Sequence, residues 1–292
     1  MKNKILTIFT CIALALTLTG CSAPPAGTTT TPEMGTTITT PPTVGTTTPP
    51  NTEIPTTGTE APTETEVPEP PQTSTTPEEV TNTDTLLRCT ASSLNVRKGA
   101  GTSYAIVGTL DKGDMVMPIS KADGWYEIMY LGGSAYISAS YVEEATFEKA
   151  NDKIEQVITE GKKLLGIPYV YGAQRYHYGN GSLNPAYDGK SYDCSSLMQY
   201  IFKIGANVNL AMTSREQSLQ GKEITRQDIR RGDLLFFTNA SRFNNTGLER
   251  IGHVALYLGD NMILHTASDH AVIEQISATR NSYFITARRL ID

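Results

Sequence analysis

Three residues in the second half of the chain could together form a thiol nucleophile and its base. Cys194 lies in the run Tyr-Asp-Cys-Ser-Ser, directly before an apolar helical stretch over 197–204. One histidine lies in each of two later strand-like runs, at His253 and His265. A cysteine that opens a helix, with histidines downstream, is typical of nucleophilic catalysis by a thiolate. The alternative is a buried structural thiol, which is common for free cysteine. The histidines favour an enzyme.

The position of the cysteine at the start of a helix predicts its reactivity. Asp193 is a suitable N-cap side chain, so Cys194 should lie in the first helical turn. There the helix dipole and the free backbone N–H groups favour an anion, and we expect them to lower the thiol pKa. The same N–H groups could donate to the oxyanion that forms when the thiolate attacks a carbonyl.

The two histidines can meet only if the hairpin that carries them has the right register. A three-residue loop over 259–261 would pair Ala255 with His265 and place His265 diagonally from His253, on the same face of the sheet. The two imidazoles would then lie within hydrogen-bonding reach. A two-residue loop would turn His265 to the opposite face.

Other patterns predict the elements around these residues. Apolar residues at helical spacing predict an amphipathic helix over 147–165, with Lys162 on its polar face. The turn Arg231-Gly232-Asp233 should lead into a strand over 234–237. His177 and His270 receive no role, and we expect them at the surface.

A small β module should precede this region. Between 87 and 142, short β-prone runs alternate with glycine-containing turns, which predicts a barrel of about five strands. Its distinctive residues are Leu94, Asn95, Val96, Arg97, Gly99, Gly101, Tyr104, Gly108, Gly113, Gly124, Trp125, Tyr126, Tyr136, Ile137 and Ser138. Together they resemble the bacterial SH3-type domain, whose usual role is cell-wall targeting or framing of a substrate. Cys89 should be a small buried hydrophobe within it.

Six short motifs are spread over the chain from about residue 150 to its end. They are Gly-Ile-Pro-Tyr-Val-Tyr-Gly at 166–172, Asp-Cys-Ser-Ser at 193–196, Thr-Ser-Arg-Glu-Gln at 213–217, Gly-Asp-Leu-Leu-Phe-Phe at 232–237, Gly-His-Val-Ala-Leu-Tyr-Leu-Gly at 252–259 and Leu264-His265. Together they resemble the NlpC-type cysteine peptidases, papain-like enzymes of the bacterial cell wall. The resemblance implies an α+β fold with a central antiparallel sheet and the nucleophile at a helix N-terminus.

The resemblance also implies roles for the three candidate residues. Cys194 is the nucleophile, His253 is the general base, and His265 orients His253 so that it can take the thiol proton. No metal and no cofactor are expected. Zinc held by these three residues is the alternative, but a fourth ligand is not evident.

Substrate contacts follow from the same motifs. Tyr171 is a candidate to contact the oxyanion or the substrate. Asp193 and Ser196 should line the pocket, although Asp193 could equally serve only as a helix cap. Ser196 stands where the family usually has glycine, which would narrow the site. The loop over 173–192 is longer than is typical.

The amino terminus predicts export and anchoring. Lys2 and Lys4 precede an apolar run over 5–18, which is typical of a secretory signal. The following Leu-Thr-Gly-Cys resembles the bacterial lipoprotein processing box, which implies lipidation of Cys21. Attachment to the membrane would then be by lipid alone. Ordinary signal cleavage beside a chance cysteine is the alternative.

A spacer and a nearly neutral folded part complete the organisation. Residues 22–85 contain 13 prolines, 24 threonines and no aromatic residue, so they predict a disordered tether. The net charge of −6 comes mainly from that segment, which has nine acidic residues and no Lys or Arg. No nucleic-acid partner is expected, and a monomer is expected.

The predicted organisation has four parts: a lipoprotein signal over 1–21, the tether over 22–85, an SH3-type domain over 86–145 and a peptidase domain over 148–292. The resemblance implies hydrolysis of amide bonds in peptidoglycan stem peptides, usually the bond between γ-D-glutamate and a diamino acid. The protein would face the cell wall outside the cytoplasm. The alternatives are a related thiol amidase or acyltransferase, and an inactive wall-binding lipoprotein.

Overall fold

The computed structural model describes residues 82–267 and 269–292. The predicted export signal, the lipidation site at Cys21 and nearly all of the predicted tether lie outside these residues. Within the described part, the strands form two antiparallel sheets, one of seven strands and one of six, which together with the helices gives the expected α+β class. No helix of the described part is long and apolar enough to cross a membrane.

The seven-stranded sheet forms the N-terminal module. Its strands are β1 (Thr83–Cys89), β2 (Ser93–Arg97), β3 (Ile106–Asp111), β4 (Met115–Ala122), β5 (Trp125–Tyr130), β6 (Gly133–Ser138) and β7 (Val142–Glu148). They are hydrogen-bonded in the order β3-β2-β6-β5-β4-β1-β7. Val96, Ile128 and Ile137 are fully buried in its core. The five predicted runs are confirmed as β2 to β6.

The first and last strands of the module in chain order, β1 and β7, were not predicted. They pair along their whole length, starting with Thr83 opposite Glu148. β1 therefore begins before residue 85, where the sequence places the end of the tether. The threonines at its start resemble the tether in composition, but Leu86 is fully buried and anchors the strand in the core.

Helix α1 (Asp152–Lys163) is shorter than the predicted helix over 147–165. It begins late because Phe147 belongs to β7, and because the side chain of Asn151 caps the first turn. Its apolar face is buried as predicted. The prediction that Lys162 lies on the solvated polar face is wrong. Lys162 is only 3% exposed, because its ammonium pairs with the carboxylate of Asp84 on β1.

Four charged side chains join the N-terminal module to the rest of the described chain, and we call them the seam cluster: Asp84, Glu155, Lys162 and Arg231. Asp84 accepts from Lys162 Nζ and from Arg231 Nη2, each at 2.6 Å. Arg231 Nε also donates to Glu155 at 2.7 Å. Burial disfavours the charge on Asp84, but the two cations outweigh burial and hold the pKa of this carboxyl below its usual value.

The six-stranded sheet carries the motifs of the second half. Its elements, with their helices, are α2 (Cys194–Ala206), α3 (Ser214–Gln217), β8 (Lys222–Ile224), β9 (Leu234–Phe237), β10 (His253–Gly259), β11 (Met262–Thr266), β12 (Ala271–Gln275), α4 (Ala278–Ser282) and β13 (Phe284–Arg289). The strand order is β12-β11-β10-β9-β13-β8. β9 confirms the strand predicted over 234–237.

Helices α1 and α2 pack closely against each other at Gly205. A Cβ atom there would lie 2.6 Å from Val157 Cα, so only glycine allows this approach. Helix α2 continues past Gly205 and ends at Asn207, which caps it in the left-handed conformation with φ +54°. The buried side chains of α2, Leu197 and Ile201 among them, share one apolar core with β10 and β11. This packing fixes the N-terminus of α2 beside β10.

Candidate active site

The first turn of α2 is held by a reciprocal cap. Asp193 Oδ1 accepts from the backbone N–H of Ser196 at 2.8 Å, and Ser196 Oγ accepts from the backbone N–H of Asp193 at 2.8 Å. Cys194 therefore stands at the first helical position, as predicted. Ser196 is fully buried by this arrangement. Its predicted place in the substrate pocket is not observed; Ser195 lines the pocket instead.

The carboxylate of Asp193 is also held from the other side. Arg175 Nη1 donates to Asp193 Oδ2 at 2.8 Å, and Arg175 Nη2 donates to Ser195 Oγ at 2.9 Å. The backbone N–H of Gly172 donates to Oδ2 as well, at 3.1 Å. Asp193 thus acts as a cap and as the anchor of an arginine from the long loop. Arg175 lies in that loop without any motif, so sequence reasoning missed it.

The thiol of Cys194 does not have the lowered pKa that the helix position predicts. Burial raises its pKa to about 11, and the nearby Asp193 carboxylate adds to the rise. Backbone N–H groups of Val254 and Ser195 and the charge of Arg175 act in the opposite direction, but they do not outweigh burial. The resting side chain is therefore a neutral thiol.

Alkylation of Cys194 by iodoacetamide should show this raised pKa directly. Only the thiolate reacts, so the rate at pH 7 should be slow and should rise about tenfold per pH unit toward pH 10. Peptide mass spectrometry at each pH would measure modification of Cys194 separately from the other cysteines. A rate that reaches its plateau at or below pH 7 would show a thiolate at rest and contradict the raised pKa.

The hairpin of β10 and β11 brings the two histidines together. Leu256 pairs with Leu264, which is the predicted register. The turn itself is tighter than predicted: only Asp260 and Asn261 lie between the strands, both with positive φ. A bulge before Gly259 supplies the extra residue and restores the register that a two-residue turn would otherwise shift. His253 Nε2 consequently lies 3.0 Å from His265 Nδ1.

A carboxylate behind His265 determines which ring nitrogens carry protons. Glu274 Oε1 lies 2.9 Å from His265 Nε2. Burial disfavours the charge on Glu274, but its bond with His265 and the charge of Arg280 hold its pKa below the usual value, so it is ionised. An ionised carboxylate can only accept a hydrogen bond, so His265 Nε2 must carry the hydrogen. In the neutral ring, His265 Nδ1 then has no hydrogen and can only accept.

The same argument extends to the first histidine. His265 Nδ1 accepts, so His253 Nε2 must donate to it, which leaves His253 Nδ1 without hydrogen and free to act as a base. Burial lowers the pKa of both rings, and that of His253 lies well below its ordinary value. Both are neutral at rest. The sequence analysis did not single out Glu274. The pairing of β11 with β12 would have shown it, because this register places Glu274 diagonally from His265 on the same face of the sheet.

A cavity of about 400 Å³ opens over Cys194. Cys194 is partly exposed on its floor, and His253 lies in its wall. Tyr171 stands at this cavity with 84% of its surface exposed. The predicted nucleophile, the predicted base and the predicted tyrosine thus share one cleft, while His265 lies behind it, fully buried.

His177, His270 and Cys89 do not line the cleft. His177 is fully buried rather than on the surface, and burial lowers its pKa. His270 is partly exposed and pairs with Asp269 at 2.8 Å. Cys89 is buried, as expected. Among the described residues, no group of three or more His, Cys, Asp or Glu side chains is arranged to hold a metal ion.

Comparison with known proteins gives the following similarities. Residues 166–289 match the NlpC/P60 family, and residues 92–143 match the bacterial SH3 domain. The chain is 33% identical over 145 residues to the murein DD-endopeptidase MepS/murein LD-carboxypeptidase of Escherichia coli (strain K12), which covers 49% of this chain and 69% of that relative.

Two further similarities have lower identity. Gamma-D-glutamyl-L-lysine dipeptidyl-peptidase of Bacillus subtilis (strain 168) is 28% identical over 169 residues, or 58% of this chain and 50% of the relative, so the chain spans half the length of that protein. A crystal structure of an NlpC/P60 family protein from Bacillus cereus ATCC 10987 covers 72% of this chain and 64% of its own, with 19% identity and a TM-score of 0.39.

Proposed function

Because the chain belongs to the NlpC/P60 family, we propose that it hydrolyses amide bonds in peptidoglycan stem peptides, with the bond between γ-D-glutamate and a diamino acid as its target. One observation carries the proposal. Cys194 shares a cleft with His253, and the hydrogen bonds of His265 and Glu274 leave His253 with a free basic nitrogen. This is the arrangement that thiol catalysis needs.

Both reacting groups are neutral at rest, so the proton must move during attack. As the Cys194 sulfur forms a bond with the amide carbon, the S–H proton passes to His253 Nδ1. The resulting imidazolium donates this proton to the amide nitrogen, the C–N bond breaks, and the amine leaves a thioester on Cys194. Water then gives a proton to His253 and attacks the thioester. The C–S bond breaks, the sulfur takes the proton back, and the carboxylic acid is released.

The charge that develops on the carbonyl oxygen needs donors. The first backbone N–H groups of a helix have no carbonyl partner within that helix. At the start of α2, the side chain of Asp193 accepts from one of them, the N–H of Ser196. The N–H of Cys194 is the candidate donor, with the exposed Tyr171 hydroxyl as a second. Asp193 holds this turn in place, and Arg175 and Ser195, which are hydrogen-bonded to each other and to Asp193, line the same cleft.

The same proposal covers the rest of the chain. The enzyme acts outside the cytoplasm on the cell wall, in keeping with the murein for which the Escherichia coli relative is named. We propose that Cys21 carries a lipid and that the residues from 22 to the start of β1 at Thr83 form a tether. We also propose that the SH3-type module and the peptidase part are two domains, and that the protein works as a monomer.

Defined stem peptides would test the activity. The purified protein should release a free diamino acid, or a peptide that begins with one, from a γ-D-glutamyl-diamino acid substrate, as measured by mass spectrometry. Cleavage at another amide would show a related amidase, and acyl transfer to an added amine would show a transferase. If the protein binds wall fragments and cleaves none of them, the hydrolase proposal fails and a wall-binding lipoprotein remains.

Replacement of Glu274 by glutamine should lower kcat/KM about 10- to 100-fold, the effect of one hydrogen bond to a charged group. A glutamine amide can donate to His265 Nε2, which would place the hydrogen on His265 Nδ1 and leave His253 protonated at the nitrogen that must act as base. Nitrogen NMR shifts of the two rings would reveal the tautomers.

The matched control for this change is Glu223→Gln, which neutralises an exposed glutamate that pairs with Arg288 on the far edge of the sheet. It should leave both kcat/KM and the ring shifts as they are. Unchanged tautomers in Glu274→Gln together with reduced activity would mean that Glu274 only supports the fold locally.

A further inference from the structure

A second cavity, of about 350 Å³, adjoins the first. The two share four wall residues, which are Tyr169, Asn239, Gly252 and His253. The second cavity is lined by His253 but not by Cys194, whereas the first is lined by both. A substrate bound beside His253 would therefore extend from one cavity into the other.

The chemistry of cleavage decides which part of the substrate takes the second cavity. The acyl part becomes bonded to the Cys194 sulfur, so it must occupy the cavity that contains Cys194. The leaving amine must receive its proton from His253, so it departs on the side of the imidazole. The second cavity therefore receives the amine-bearing fragment, which in the proposed reaction is the diamino acid.

The wall of the second cavity carries one cation. Arg280 is its only Lys, Arg, Asp or Glu among the described residues. The guanidinium makes one long side-chain hydrogen bond: its Nη2 lies 3.4 Å from Glu274 Oε1, an oxygen that also binds His265 at 2.9 Å. Its Nε is shielded from solvent and has no hydrogen-bond partner among the described residues. A guanidinium with unused donors is suited to a carboxylate.

A second unused polar group lies in the same wall. The hydroxyl of Thr266, a residue only 2% exposed, also has no partner among the described residues. Leaving a buried polar group without a partner is costly. These two atoms are closed to a ligand as they are to water, so a ligand in the cavity would meet the part of the Arg280 side chain that is exposed, 26% of it.

We propose that the second cavity is a leaving-group subsite in which Arg280 binds a carboxylate of the departing diamino acid. This rests on the proposed hydrolysis and specifies its substrate: the residue after the cleaved bond carries a free carboxylate near its reacting amine. Two carboxylates would satisfy this chemistry. One is the α-carboxylate of a diamino acid at the end of a stem, and the other is the side-chain carboxylate of a diaminopimelate-type residue.

Matched acid and amide substrates would test the subsite. The first pair is γ-D-glutamyl-L-lysine and its C-terminal amide, which tests the α-carboxylate. The second comparison uses γ-D-glutamyl-diaminopimelate, amidated either only at its α-carboxyl or only at its side-chain carboxyl. It shows which of the two carboxylates is recognised. The wild type should prefer the acid in one of these pairs about 10- to 100-fold in kcat/KM. In Arg280→Gln this ratio should fall toward one.

Because the test compares a ratio, any loss that Arg280→Gln causes through Glu274 cancels. Arg226→Gln is the matched control, since it removes an exposed arginine that lines neither cavity; it should keep the preference. A wild type without an acid preference, or an Arg280→Gln variant that loses activity equally on acid and amide, would overturn the proposal and leave Arg280 as a support for Glu274.

A binding measurement separates the subsite from the reaction. In Cys194→Ala protein, which cannot turn over, calorimetry should show that lysine or diaminopimelate binds more tightly than the corresponding amide, and that adding Arg280→Gln removes the difference. If this holds while the wild type cleaves no γ-glutamyl substrate, the subsite stands and the proposed hydrolysis fails. If the acids and amides bind alike, the subsite itself is refuted.

Discussion

Replacement of Cys194 by alanine should reduce stem-peptide hydrolysis by a factor of at least about 10⁴, because Cys194 is the only cysteine among the described residues that line the cleft and its sulfur forms the acyl intermediate. The protein should remain folded. Cys194 is partly exposed at the start of α2, and the cap between Asp193 and Ser196 does not use its side chain. Product release followed by mass spectrometry measures the first effect, and thermal unfolding measures the second.

The chain offers a matched control in Cys89→Ala. Cys89 is also a free cysteine, buried in the N-terminal module and absent from both cavities. Its replacement should cost some stability, on the order of 1 kcal/mol, and leave kcat unchanged. Equal cleavage by the wild type and Cys194→Ala would remove the nucleophile assignment. Loss of activity in the Cys89 variant without unfolding would show that the cleft is not the whole site.

Replacement of Asp84 by alanine should lower the free energy of unfolding by about 3–5 kcal/mol. Asp84 accepts from Lys162 and Arg231, and its loss leaves Lys162 with its charge buried, at 4% side-chain exposure, and without its partner. For a chain of this size, the midpoint of thermal unfolding should fall by roughly 6–20 °C. Calorimetry and urea unfolding would measure the change.

The dependence of this effect on pH has a definite sign. The pKa of Asp84 is lower in the folded protein than its ordinary value. Its contribution is therefore fully present above the unfolded pKa of about 4 and is lost as the pH falls through the folded pKa. The difference between wild type and Asp84→Ala should stay constant from about pH 5 to 8 and shrink only in stronger acid.

An exposed ion pair between β1 and β7 provides the comparison. Arg88 and Glu143 form an ion pair at 3.1 Å, with side-chain exposures of 41% and 55%. Glu143→Ala should change the stability by about 0–1 kcal/mol, because water screens an exposed pair. If Asp84→Ala is no more destabilising than Glu143→Ala, the seam cluster does not hold the two parts of the chain together.

Local patterns predicted the elements with strong signals. The alternating runs of the N-terminal module became β2 to β6, and Leu234–Phe237 became β9. Prediction failed where a distant partner decides the conformation. The threonines at the start of β1 resemble the tether until β7 pairs with them, and Lys162 resembles a solvated lysine until Asp84 approaches from another module. Neither partner is visible within a window of neighbouring residues.

The candidate site divides in the same way. Residue type and spacing were sufficient to single out Cys194 at a helix start and a histidine on each strand of one hairpin. The predicted register is observed, but the sequence did not show that a bulge and a two-residue turn, rather than a three-residue loop, would keep His265 on the face of His253.

By itself, the sequence determined the kinds of element, the nucleophile type and the two imidazoles, because these follow from local periodicity and from the chemistry of single residues. The tertiary structure alone decided the ionisation and the proton positions. Burial, which depends on the whole fold, overcame the helix N-terminus at Cys194, and the carboxylate of Glu274, from a strand paired only in the folded sheet, determined the tautomers of both histidines.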